Sequence, residues 1–394
     1  MDSKGISKLD LKRRNRRQIL FAIRQAGQLA RVDIAAQLSL TRAAVTIITN
    51  QMIAQNILED LNSPLPVNAD EPKKKGRKKT MIRIKPTYKY ALGAVINAQN
   101  LSVGISNLAN EVVGKANMAL TDQTTYKEIV SFIVSASKRL MKRNSLTAQM
   151  VLGLGIGVVP SRQELMQAKE ADGQIVFDTL CSQLEKDLGM PVCAECAVNL
   201  YAMANTDYSS ETGAAQLLLY SGKTYHCAVV RDHASGACTA ENVPVERMVI
   251  RPAGAKAEGY PDGSVYAEMS PETLLSRIQQ ATGRTLTAQE VNEAYEQGDE
   301  EIIACLRAQL DQLAILIYNL CLTYRADRMT MQGFDFCEAA RDYVRTALDA
   351  LGGNDMKVVY SRITPETAFL AGCCLAAEKQ FYELGGMQQG ETAV

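Results

Sequence analysis

Residues 30–48, Ala-Arg-Val-Asp-Ile-Ala-Ala-Gln-Leu-Ser-Leu-Thr-Arg-Ala-Ala-Val-Thr-Ile-Ile, constrain the fold more than any other stretch. Val32, Ile34, Ala35 and Leu38 recur at helical spacing and form one apolar stripe. Ser39-Leu40-Thr41 interrupts it. Thr41 is suited to cap a second helix, because its hydroxyl accepts an orphan amide of the first turn. That second helix carries Val45, Ile48 and Met52 on one face and Arg42, Thr46 and Thr49 on the other. Two helices across a tight turn, one face apolar and the other bearing short hydrogen-bonding side chains, read as a helix-turn-helix able to enter a DNA major groove. An ordinary helical hairpin shares this pattern, so the rest of the chain must decide.

The chain is electrically neutral overall but not evenly so. Residues 1–86 hold 18 Lys+Arg against 7 Asp+Glu, and the remainder carries the opposite surplus. A basic first fifth on an acidic remainder indicates a nucleic-acid module joined to a body with another task. At 394 residues the chain exceeds what one core sustains, so two or three domains are expected. An apolar content of 47% with 22% charged residues fits a soluble globular protein. There is no run of about 18 apolar residues, and the first residues lack the apolar centre of a signal peptide. The ten cysteines are scattered, apart from the pair Cys373-Cys374, which does not suggest a secreted disulfide framework. The expectation is a cytoplasmic protein with reduced thiols and no membrane partner.

Lys12-Arg13-Arg14-Asn15-Arg16-Arg17 opens a helix that continues through Ile19, Leu20 and Ile23 to a C-cap at Gly27. Its cations are expected near the phosphate backbone. Strands at 57–60 and 81–84 flank a loop containing Lys73-Lys74-Lys75-Gly76-Arg77-Lys78-Lys79, which makes a winged helix. Thr41, Arg42, Ala44 and Thr46 are the candidate base-facing residues, Ala44 through apolar contact alone. Arg31, Lys75, Gly76, Arg77 and Lys78 are candidates for backbone or minor-groove contact, where a narrow groove favours arginine.

From Tyr88 the pattern changes. Strands at 90–97, 101–108 and 111–120 precede a helix at 126–142. A glycine-containing strand at 151–159, a helix near 176–188, a strand at 191–196 and a helix at 198–205 follow. A similar order recurs, with strands at 214–220 and 225–231, a helical block at 271–324 with an internal turn at Gly298-Asp299, a strand at 329–332, a helix at 337–351, a strand at 357–360 and a helix at 365–382. Hairpin-linked strands followed by strands alternating with helices, twice over, give two α/β lobes with mixed sheets around a cleft.

A winged helix ahead of this pattern resembles the ROK family of repressors and sugar kinases. The resemblance covers nearly the whole chain. Leu40-Thr41-Arg42-Ala43-Ala44-Val45-Thr46 resembles the start of its recognition helix and Gly76-Arg77-Lys78 its wing. Pro191-Val192-Cys193-Ala194-Glu195 resembles the strand into its catalytic segment. Glu246-Arg247-Met248-Val249-Ile250 sits where the family has its Gly-His-hydrophobic signature, with Pro244 and Arg247 in place of that site's Glu and His, and Ala294-Tyr295-Glu296-Gln297-Gly298-Asp299 and Ala371-Gly372-Cys373-Cys374 also fit. The resemblance implies an actin-like (RNase H-like) ATPase fold behind the head. The expected division is 8–86 for the winged helix-turn-helix (wing and linker 63–80), 87–205 plus 361–385 for a first lobe, and 206–360 for a second lobe with a helical oligomerisation block.

The family's chemical parts are degenerate. Where its first phosphate loop reads Asp-x-Gly-Gly-Thr, this chain has Val95-Ile96-Asn97-Ala98-Gln99. Its Glu-Asn-Asp segment, whose Asp is the general base, is Glu195-Cys196-Ala197, and alanine accepts no proton. The second phosphate loop falls at Ser221-Gly222-Lys223-Thr224-Tyr225 with one glycine, and the late glycine pair is reduced to Gly333. The family's zinc ligands align with Arg247, Lys256, Glu258 and Ser264, which do not replace imidazole and thiolates. No catalytic residue, metal or cofactor is expected. Glu195 and Asn199 keep the character of sugar-pocket residues, and Arg247 could attract an anionic effector. The reading is a non-enzymatic regulator, a repressor of carbohydrate-related genes, acting on double-stranded DNA as a homodimer or tetramer with a sugar or sugar-derivative effector. An active kinase with a regulatory head, and a constitutive DNA-binding protein without an effector, remain the alternatives.

Overall fold

In the computed structural model, which describes residues 8–61, 80–171, 174–206, 215–232 and 238–387, a three-helix core opens the chain. α1 (Lys8–Ala26) buries Ile19, Leu20 and Ile23. β1 (Leu29–Ala30) runs into α2 (Arg31–Gln37), and α3 (Arg42–Ala54) follows the turn at Ser39. β2 (Leu58–Leu61) and β3 (Met81–Ile84) pair antiparallel, and β1 covers the far edge of β3. This is a winged-helix arrangement. The wing candidates Lys75, Gly76, Arg77 and Lys78 lie outside the described residues.

Three side chains in the head differ from expectation. Val32 is 42% exposed, so the buried stripe of α2 rests on Ile34 and Ala35. Thr49 is fully buried, because it follows Val45 by one turn, and its hydroxyl is satisfied by donating to the Val45 carbonyl at 2.8 Å. Arg16 is also buried and does not belong to a phosphate-facing cluster.

The first lobe begins with β4 (Tyr90–Ile96), β5 (Asn100–Asn107) and β6 (Val112–Ala119), joined by tight turns and therefore antiparallel. Helix α4 (Tyr126–Arg143), opened by a Thr125–Glu128 capping box, crosses over to β7 (Val151–Val158), parallel to β4. A small hairpin, β8 (Lys169–Ala171) and β9 (Gln174–Val176), precedes α5 (Asp178–Leu188), which crosses to β10 (Val192–Cys196). The sheet order is β10-β7-β4-β5-β6. α6 (Ala197–Ala204) follows at once.

The second lobe repeats the plan. β11 (Ala215–Ser221), β12 (Tyr225–Asp232) and β13 (Cys238–Val243) are antiparallel. Four helices follow: α7 (Val265–Met269), α8 (Pro271–Thr282), α9 (Ala288–Glu296) and α10 (Glu300–Tyr324). Then β14 (Ala326–Gln332) joins β11 in parallel, and α11 (Glu338–Ala350) carries the chain to β15 (Lys357–Tyr360). The order β13-β12-β11-β14-β15 mirrors the first sheet.

The chain then returns. α12 (Phe369–Ala377) lies directly on β4 and β7 of the first lobe. A methyl added at Gly155 would sit 2.0 Å from the Gly372 carbonyl oxygen, so that approach requires glycine. The helix ends in one π-type turn, Glu378–Tyr382, and enters the head. Ala377, Phe381 and Tyr382 share a buried cluster with Ile19, Leu20, Ile23, Ile34, Val45 and Met52. Arg24 pairs with Glu378 at 2.9 Å, and its guanidinium stacks 4.3 Å from the Tyr382 ring. Arg16 donates from Nε to the Gly385 carbonyl (2.7 Å) and from Nη2 to Gln55 (2.8 Å). The last elements of the body thus complete the core of the head.

Candidate nucleic-acid interface and effector cleft

The four candidate base-facing residues stand together at the start of α3. The Thr41 hydroxyl caps the helix, accepting from the Ala44 amide at 3.2 Å. Arg42 and Thr46 are exposed, and the Thr46 hydroxyl donates back to the Arg42 carbonyl at 2.8 Å. Ala44 is half-buried. The outer face continues beyond them through Ala43, Ile47 and Asn50, all exposed, with Ile47 59% exposed. Sequence reasoning missed Ile47 and Asn50, although 43, 46, 47 and 50 recur at the three- and four-residue spacing of one helix face.

Arg31 is engaged within the head rather than projecting alone. Its Nε donates to the Thr49 hydroxyl at 3.0 Å, and its Nη2 donates to Asn50 Oδ1 at 3.3 Å and to Asp60 Oδ1 at 3.1 Å. One guanidinium therefore ties the first residue of α2 to the recognition helix and to β2.

In the body, the segment matching the first phosphate loop is a closed hairpin turn. The Asn97 amide donates to the Asn100 carbonyl at 2.8 Å, and Val95 is fully buried. The Ala98 carbonyl accepts from the Arg162 guanidinium, with Nε at 3.1 Å. A phosphate loop turns amides toward an anion, whereas this turn presents a carbonyl to a cation. Ala197, in the general-base position, is the buried first residue of α6.

Glu195 and Asn199 are brought together. Glu195 Oε1 accepts from the Cys196 amide (3.0 Å) and from Asn199 Nδ2 (3.2 Å). Asn199 Oδ1 is buried and has no partner among the described residues. Two residues along α6, the Tyr201 hydroxyl donates to Asn97 Oδ1 at 2.7 Å. Its ring stacks on Tyr220 of β11 at 5.8 Å, and Tyr220 stacks on His226 of β12 at 6.4 Å. Burial raises the Tyr201 hydroxyl far above its usual range, pushes Tyr220 up to about 12 and lowers His226 to about 4. All three are neutral near pH 7. With Val95, Leu200, Leu218 and Val230, Tyr201 and Tyr220 form an apolar seam between the lobes, on which His226 stacks through Tyr220.

Arg247 takes no part in the Glu195–Asn199 pair. Its Nη1 donates to the Gly259 carbonyl at 3.1 Å, and its guanidinium lies 5.8 Å from the Tyr260 ring. Arg247 apart, two of the residues aligned with zinc ligands have other tasks. Ser264 caps α7 through its hydroxyl and Lys256 faces Asp262 at 3.8 Å. The loop they belong to is organised by Glu268, a buried carboxylate that accepts from the Ala255 amide (2.5 Å) and from Arg277 (2.6 Å). Burial works to raise its pKa, but the Ala255 amide and the Arg277 guanidinium outweigh that and hold it below the usual glutamate value. These residues do not fit a metal. Among the described residues no group of three or more His, Cys, Asp or Glu could hold one. Cys193 and Cys196, spaced Cys-x-x-Cys on β10, are both held as thiols by burial. Burial pushes the Cys193 thiol up to about 12, and its Sγ lies 3.7 Å from the Leu154 carbonyl.

No family model matches the chain. Among curated proteins it is similar to the xylose repressor of Lactiplantibacillus pentosus, 21% identical over 337 residues, covering 83% of this chain and 82% of that one. Among solved structures it is similar to a ROK family transcriptional regulator, a homologue of the Escherichia coli MLC protein. The TM-score is 0.68 at 16% identity, over 95% of this chain and 98% of that one. It is also similar to the ROK hexokinase of Thermus thermophilus, with a TM-score of 0.59 at 13% identity, over 74% of this chain and 99% of that one. At these identities the structural likeness is one of fold. The regulator is matched over nearly all of the chain and the hexokinase over about three quarters of it.

Proposed function

We propose that this chain, which has the fold of the ROK transcriptional regulators, is a sequence-specific DNA-binding repressor of carbohydrate-related genes. The observation that carries the reading is the pairing of a winged-helix head, its recognition helix exposed along one face, with a kinase-fold body that has alanine in the general-base position. α3 enters the major groove. The exposed cations of α1, Lys12, Arg13 and Arg14, and those of the segment 73–79 track phosphates, which adds affinity without sequence information.

In this reading the body performs no phosphotransfer. Phosphoryl transfer needs a base for the acceptor hydroxyl and amides or cations around the phosphates. Ala197, the closed turn at Asn97 and the packed Tyr201–Tyr220 stack supply neither. Glu195 and Asn199 are retained as a hydrogen-bonding pair suited to sugar hydroxyls, so the effector is a sugar or sugar derivative. The chain acts in the cytoplasm as a homodimer or tetramer, two heads engaging two half-sites. The effector binds one lobe arrangement better than the other and so changes the spacing of the heads. Among the described residues no helix is long and apolar enough to cross a membrane.

The test is twofold. Equilibrium binding to duplex DNA across a salt series should give a steep loss of affinity with salt, from several phosphate contacts. Incubation with ATP and a panel of hexoses should give no turnover above the solvent rate. Phosphorylated sugar that disappears when Glu195 is changed to Gln would establish the kinase reading instead. Absence of any duplex binding would overturn the regulator.

A further inference from the structure

We propose that Arg31 is a positioning residue that fixes the carboxamide of Asn50, and that Asn50 and Ile47 together read adjoining adenine and thymine edges in the major groove. This rests on the DNA-binding reading of the head.

Arginine has only donors, so the atom of Asn50 that faces it is the carbonyl oxygen, and the amide cannot flip without losing that bond. Arg31 is itself held from two further sides. Its Nε rests on the Thr49 hydroxyl, which is anchored to the Val45 carbonyl one helical turn earlier, and Nη2 is shared with Asp60 of β2. Such a braced fork has little freedom left to lose on binding. Asn50 therefore presents an oriented carboxamide on an exposed helix face. Its Oδ1 keeps a second lone pair and its Nδ2 keeps its protons. An acceptor beside a donor matches the adenine edge, where N6 donates and N7 accepts.

Ile47 stands three residues earlier on the same face. At 59% exposure it has the highest exposure of the large apolar side chains described. Among the described residues it stays exposed, whereas Val45 and Met52 of the same helix are fully buried. The flanking positions Ala43 and Thr46 are small, which lets the helix approach the base edges closely. An isoleucine at that place finds an apolar contact in the one apolar group of the major groove, the thymine C5 methyl.

The test uses the full chain and the duplex that the wild-type chain selects from random DNA. Relative affinities are measured by competition against duplexes altered one base pair at a time, with melting temperatures recorded for each variant. Asn50→Ala should lose discrimination at one A·T pair by about tenfold to a hundredfold. Replacing one thymine by uracil, which removes only the methyl, should weaken the wild type several-fold and leave Ile47→Ala unaffected. Arg31→Lys keeps the charge but loses the fork. It should reproduce the Asn50→Ala loss at the same base pair, with an unchanged salt slope, and the double variant should be no worse than either single one. Asn50 and Ile47 are exposed, so their variants report even if Arg31→Lys melts early. A motif that survives Asn50→Ala and Ile47→Ala overturns the proposal alone. An Arg31→Ala variant that weakens all sequences equally and lowers the salt slope by about one identifies a phosphate contact and overturns the positioning role. A folded wild type that selects no motif overturns the DNA-binding reading with it.

Discussion

Arg16 shows how residue type and residue position part company. In the sequence it is one of five cations in six residues. In the structure it is buried against Gly385 and Gln55, while Arg13 and Arg14 are exposed. Arg16→Ala is expected to destabilise the protein by about 2–4 kcal/mol, since hydrogen bonds from a charged donor are lost and the groups they served are left buried. It should leave the salt slope of DNA binding unchanged. Arg13→Ala should do the reverse, with under about 0.5 kcal/mol in stability and a slope lower by about one. Thermal melts and salt titrations of both variants check this. Thr49 gives the same lesson from the other side. A hydroxyl suggested an outward face, but the position repeats Val45 by one turn and the hydroxyl is satisfied within the helix. Ala197 was legible directly, because a missing carboxylate needs no geometry to recognise. Placing an acid there should not create a base. Ala197→Asp puts a carboxylate in a fully buried apolar seam and is expected to cost about 2–4 kcal/mol with no ATP turnover.

At the scale of elements, the long periodic segments were readable. The helices α1, α3, α4, α10 and α11 and the strands β4, β5, β7 and β11 all lie close to where apolar spacing put them. The elements missed were short or polar. β1 has two residues, the β8–β9 hairpin has three per strand, and β13 reads Cys-Thr-Ala-Glu-Asn-Val on a sheet edge. None carries enough apolar alternation to stand out from a loop. The destination of the C-terminal segment was also beyond sequence reasoning. Its apolar residues announce a buried helix but not that Phe381 and Tyr382 belong to the core of the head. Ending the chain after Ala377 removes both rings, the Glu378 partner of Arg24 and the Gly385 acceptor of Arg16. Burial of the two aromatic side chains alone contributes about 3–6 kcal/mol. The truncated chain should lose hydrogen-exchange protection in α1 and α3 and lose DNA binding, while the second lobe stays protected. Full protection of the head in that truncation would contradict the shared core.

At the scale of the whole molecule, the head and the first lobe are tied together by α12 and the turn after it. In the proposed mechanism, a change in lobe arrangement therefore carries the head along with the first lobe. The seam between the lobes is the Tyr201–Tyr220–His226 stack. His226 is held neutral by burial and takes a proton only near pH 4, whereas an unfolded chain takes it near 6.5. The unfolded state then binds more protons between those values. Stability is complete above pH 6.5 and falls as the pH is lowered through that window, by about 2 kcal/mol for this partly exposed ring. His226→Phe should remove that part of the pH dependence in thermal melts, and an unchanged profile would show that the imidazole is not buried in the seam.

Sequence-specific binding of DNA through the exposed recognition helix is the property proposed for this kinase-fold protein. Its most direct measurement is selection of bound sites from random duplex DNA by the full chain, at one stated salt concentration. The expected result is a motif of two half-sites related by twofold symmetry, spaced by whole turns of roughly 10–10.5 base pairs. Its affinity should exceed that for random sequence by at least about a thousandfold. Equal, salt-dependent affinity for every sequence, from a folded chain, would contradict it.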